Sequence, residues 1–183
     1  MKDLAQDPQR LDMAALARAG AVVAGQQAQT ALQRLTESLL AVDADAAPPQ
    51  VSWSARGELR AMKGSAPQVW LHLEAGTPVA LECQRCLQPV RLALQVTRSF
   101  RFVADEDEAA RLDEESEDDD VLVLPRRLDL LELIEDELIL ALPLVPRHDD
   151  CTAPASAGEP AQVADDKAPH PFAALAALRR PGR

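Results

Sequence analysis

Residues 81–90 read LECQRCLQPV, with cysteines three apart at Cys83 and Cys86. That spacing lets one tight turn aim both thiols at a common point, which is half of a structural zinc site. A closed site needs four donors. Further along, RHDDC sets His148 and Cys151 three apart as well, so Cys83, Cys86, His148 and Cys151 would make a Cys3His set for a structural zinc. A redox dithiol would use Arg85 to favour thiolate, but the pair lies between strands and lacks the strand-to-helix context of that chemistry. A nucleophile made of Cys151 and His148 lacks an orienting group and oxyanion donors, and Asp149 and Asp150 disfavour a thiolate there. Free cysteines also pack as small apolar side chains, so the pair reads equally as a turn without chemistry. His72 and His170 read as ordinary strand or surface residues, and the 7 glycines form no phosphate-cradling loop. No catalytic residue and no small-molecule substrate are expected.

The strand after the cysteines alternates strictly. Val90, Leu92, Leu94 and Val96, continued by Phe100 and Phe102, point one way, while Arg91, Gln95, Thr97 and Arg101 point the other. With Arg85 close by, Arg85, Arg91 and Arg101 are candidate contacts to RNA or another partner, because guanidinium groups meet phosphate oxygens well. The bland alternative is a solvated sheet face whose arginines pair with nearby carboxylates.

Several elements must position these groups. Asp12–Ala19 reads as a helix capped by Asp12 and stopped at Gly20, and residues 21–25 as an edge strand. The stripe Ala28, Leu32, Leu35 and Leu39 predicts a helix over 28–40. Period-two alternation predicts strands over 51–56, 69–74 and 79–83, with turns at 64–67 and 76–78. Asp129 can cap a helix over 129–142 whose Leu130, Ile134, Leu138 and Ala141 share a face, with Glu132, Glu135, Asp136 and Glu137 as its wet side. The expected fold is α+β, an antiparallel sheet packed by two or three helices. Its domain runs over 1–151. Residues 152–183 read as a flexible linker and tail with a short helix in which Phe172, Leu175 and Leu178 share a face.

Charge divides the chain unevenly. Its formal net charge is -11, yet residues 1–104 hold 11 Lys and Arg against 9 Asp and Glu, while residues 105–183 hold 8 against 21. Residues 105–120 alone carry 11 acids in 16 positions and read as a solvated, disordered insert. A pI near 4.7 excludes indiscriminate binding to phosphate backbones but not a local basic face. The acidic part suits a basic protein as partner. Three cysteines, an odd number, fit a reducing cytoplasm better than a secreted disulfide framework, and no apolar run predicts a signal peptide or membrane span.

LECQRCLQPV, then DLLELIEDELILALPLVPRHDDC, then HPFAALAAL together resemble the YceD family of bacterial large ribosomal RNA subunit accumulation proteins. The acidic helix running into LALPLVPRH is the distinctive part. The resemblance implies a non-enzymatic role in the synthesis, processing or stability of 23S ribosomal RNA. It implies as partners a 23S precursor, a basic large-subunit ribosomal protein, or both. The matching positions are Cys83, Arg85 and Cys86, then Glu135, Glu137, Pro143, His148 and Cys151, and finally Pro171 and Phe172. His148 and Cys151 lie closer together here than in relatives with a longer insertion between them. A zinc-clipped or redox-active dithiol protein, or a binding module for a non-ribosomal client, is the competing class.

Overall fold

The computed structural model describes residues 7–41, 47–64, 66–115 and 120–152. A five-stranded sheet organises them, with strands in chain order from edge to edge: β1 (Val22–Ala28), β2 (Gln50–Arg60), β3 (Gln68–Glu82), β4 (Pro89–Val103) and β5 (Asp120–Val123). β1 to β4 pair antiparallel; β5 joins β4 in parallel, so the expected antiparallel sheet is in fact mixed. Four helices accompany it: α1 (Met13–Ala19), α2 (Gln33–Glu37), α3 (Glu106–Glu115) and α4 (Leu130–Leu140).

α1 forms where local signals agree. The Asp12 carboxylate accepts from Ala15 N at 3.0 Å, and Gly20 closes the helix at φ 56, a left-handed conformation that lacks strain only for glycine. The helix lies directly on β2 at Gly57, where even a methyl group would sit 2.6 Å from the backbone of Leu16 and Ala17. α4 starts the same way, with Asp129 accepting from Leu131 N and Glu132 N at 3.0 Å. Its Leu130, Ile134 and Leu138 are fully buried against Leu71, Leu73 and Phe100 of the sheet. Each such side chain contributes roughly 1.5–3 kcal/mol by leaving water.

One predicted turn is absent and one predicted helix is shortened. Thr77 and Pro78 do not turn, because β2 ends its pairing at Gly76 and the following edge of β3 is met by single bonds instead of a strand, among them Leu40 N to Ala80 O at 2.9 Å. Pro78 directs its missing N–H to that edge, as its carbonyl does in accepting from Gln29 Nε2 at 3.0 Å, so no ladder bond is lost. The helix expected over 28–40 shrinks to α2, because Gln29 and its neighbours are drawn into the sheet edge instead. Ala28 pairs with Gln50, and the buried Gln29 amide bonds Thr77 Oγ1 at 3.1 Å.

The acidic insert is likewise not wholly a disordered loop. α3 occupies 106–115 because Ala109 and Leu112 give it an apolar stripe, which packs on Val103, Val121 and Val123. Asp105 accepts from Glu108 N at 2.9 Å, and acids in the first turn suit the positive end of the helix. This helix is the crossover that a parallel β4–β5 pair requires. The predicted linker and tail helix beyond Thr152 lie outside the described residues.

Candidate metal centre

β3 and β4 continue past the rest of the sheet as a two-stranded arm, and the cysteine turn is its tip. Leu87 N donates to Cys83 O at 2.9 Å and Cys83 N to Gln88 O at 3.0 Å, closing the turn. Leu87 takes φ 60 to do so, a left-handed conformation that costs a branched side chain about 1–2 kcal/mol. The segment after α4 folds back over the tip, where Pro146 O accepts from Gln84 N at 2.9 Å. That contact delivers His148 and Cys151.

The four predicted donors meet. The Sγ atoms of Cys83, Cys86 and Cys151 and a ring nitrogen of His148 all lie within 4.8 Å of one another. Cys83 Sγ is 3.7 Å from Cys151 Sγ, and Cys86 Sγ is 3.5 Å from His148 Nδ1. Zinc at about 2.3 Å from sulfur and about 2.0–2.1 Å from nitrogen sets tetrahedral edges of about 3.8 Å between sulfurs and about 3.6 Å between sulfur and nitrogen. The donor set therefore fits that ion. His148 Nε2 lies 3.0 Å from Pro89 O. A carbonyl only accepts, so Nε2 carries hydrogen, and in the neutral ring Nδ1 is left as the lone pair facing the thiols.

The thiols and the imidazole shift one another's proton affinities. Burial pushes the Cys83 thiol up, but the backbone N–H groups of Cys86, Arg85 and His148, with the Cys86 side chain, outweigh it and bring it to about 5. Contact with Cys83, then with the Pro89 carbonyl, raises His148. Burial, then Cys83 and Cys86, raises Cys151. A divalent cation bound there would take the place of the thiol protons and meet the imidazole in its neutral form. Four protein donors leave no open position, which is the arrangement of a structural and not a catalytic ion. Cys83 is also fully buried, out of reach of a substrate.

The three candidate arginines do not form one patch. Arg85 and Arg91 are exposed at and beside the tip. Arg101 shares the outer face of β4 with Arg91 but lies ten residues along, roughly 33 Å away, beside Trp70 and with its Nε enclosed and without a hydrogen-bond partner. Arg147, which the sequence reading passed over, lines a cleft with Arg85, Val145, His148 and Asp149.

The wet face assigned to α4 also needs correction. Glu132 is exposed and Asp136 half-exposed, but Glu135 and Glu137 are buried. Glu135 accepts from Leu35 N at 3.1 Å and pairs with Arg34 at 3.1 Å, and Glu137 pairs with Arg98 at 3.0 Å. These partners lie far away in the chain, so no local periodicity could have signalled them. Among the described residues no helix is long and apolar enough to cross a membrane.

Among the described residues, the α+β fold brings four thiol and imidazole donors together at the end of a strand arm. Residues 71–179 match the family described as large ribosomal RNA subunit accumulation protein YceD. The chain is 36% identical over 162 residues to the protein of that name from Haemophilus influenzae (strain ATCC 51907 / DSM 11121 / KW20 / Rd), covering 85% of this chain and 86% of the relative. The chain belongs to the YceD family. No solved structure matches it.

Proposed function

We propose that the chain is a non-enzymatic factor in the synthesis, processing or stability of 23S ribosomal RNA, acting in the cytoplasm during large-subunit biogenesis. Its kinship with the Haemophilus protein over most of both chains carries this reading. It holds a 23S precursor segment, with Arg85 and Arg91 at the arm tip and Arg101 further along β4 as its contacts. A basic large-subunit ribosomal protein is the other client that its acidic surfaces suit. Zinc on Cys83, Cys86, His148 and Cys151 clips the segment after α4 to the arm. When bound, the ion supplies rigidity there and no reaction.

Affinity purification with and without nuclease tests the reading. A 23S precursor that is lost on nuclease treatment marks an RNA contact. A ribosomal protein that survives nuclease marks a protein contact. Recovery of neither contradicts both.

A further inference from the structure

Among the described residues, no helix lies over β2 and β3 on the outer face of the sheet. α1 and α4 pack on the opposite face, and α3 reaches only the β4–β5 corner. What the strands present outward is a polar floor in cross-strand register. Ser54, Glu74 and Thr97 form one row, and Arg56, His72 and Ser99 form the next. Two shallow clefts of about 380 and 370 Å3 share Ser54, Glu74 and Thr97, so they run together as one trough. Gly76 deepens its near end by having no side chain, and the floor from Ser52 to Arg56 is roughly 13 Å long.

We propose that this trough is the seat of a single-stranded RNA segment, gripped by its sugar-phosphate backbone. The proposal rests on the reading of the chain as a ribosomal RNA factor and places the contact on a different surface from the arm tip. Charge is the first argument. In a chain of net charge -11, the outward side chains of β2 to β4 away from the arm tip bring Arg56, Arg60 and Arg101 against Glu58 and Glu74. One of those carboxylates, Glu58, is occupied by Arg60 at 3.2 Å and His72 at 2.7 Å. Arg56 stands half-exposed at the trough wall, with its guanidinium 3.8 Å from the same Glu58 carboxylate.

Side-chain chemistry is the second argument. Ser54, Thr97 and Gln95 offer hydroxyls and an amide, which suit phosphate oxygens and ribose hydroxyls. The aromatic ring on this face is withheld from bases. Trp70 is only 3% exposed and lies under Arg60, whose guanidinium is 4.1 Å from the ring centre. Recognition is therefore of backbone and tolerant of sequence. Glu74, exposed at the centre of the trough, opposes the strand and sets a modest affinity.

Fluorescence anisotropy of the full chain with a labelled 15-nucleotide single-stranded RNA of mixed sequence tests this. The doubly substituted Arg56→Glu, Thr97→Glu protein should bind at least tenfold more weakly with unchanged thermal melting, and Glu74→Gln should bind about threefold more tightly. Retained binding in that double variant, with loss in an Arg85→Glu, Arg91→Glu variant, would refute the trough while leaving the RNA reading intact. A wild-type chain that binds no RNA but captures a basic ribosomal protein, more weakly after Glu74→Gln, would overturn the trough and the RNA reading together.

Discussion

Cys83 and Glu58 show how a single side chain takes its role from its neighbours. Cys83 is legible in the sequence as half of a pair, because the turn that aims two thiols inward spans only four residues. Its meeting with His148 and Cys151 depends on a fold-back that no spacing states. If the four donors hold zinc, metal analysis of the purified chain should give one zinc per chain, and Cys83→Ser should remove it and lower the melting temperature. A metal-free chain whose melting is indifferent to Cys83→Ser would contradict the clip. Glu58 carries the pH prediction. Hydrogen bonds from Arg60, then from His72, hold its carboxyl at about 2, below its ordinary 4.5. A depressed folded-state value means the stabilisation is present above the ordinary value and is lost as pH falls from about 4.5 towards 2. The difference in melting temperature between the wild type and Glu58→Gln should therefore shrink across that window, and a constant difference would show that the contacts carry no charge dependence.

At the scale of elements, what was readable is what is local. α1 between Asp12 and Gly20 and α4 from Asp129 follow their caps, and the alternation from Val90 to Phe102 gives the buried side of β4 correctly. β3 defeats the same reasoning at Gly76 to Pro78, because whether a proline ends a strand depends on whether its N–H side is paired, and that is set by where β2 stops. α3 shows the converse. Charge predicted no structure, but two apolar residues one turn apart and a neighbouring valine patch were enough to seat a helix there. α4 adds a test of the buried acids. Glu135→Ala leaves the Leu35 N–H without its acceptor and should cost about 1–3 kcal/mol in chemical denaturation, whereas Glu135→Gln keeps an oxygen there and should cost less. Equal losses in the two variants would assign the effect to the Arg34 ion pair instead.

Across the whole molecule, the two halves of the charge distribution have separate places in the fold. The near-neutral first part builds most of the sheet and its outward arginines, while the acidic second part supplies α3, α4 and the fold-back that closes the Cys3His group. The arrangement gives a sheet whose arm carries the four donors, a polar outer face that no described helix covers over β2 and β3, and acid-rich helices at its margins. The most direct test is the ratio of 23S to 16S ribosomal RNA in cells lacking the gene. The ratio should fall and should recover when the wild-type chain is supplied. A ratio unchanged by the deletion would contradict the role in large-subunit RNA accumulation.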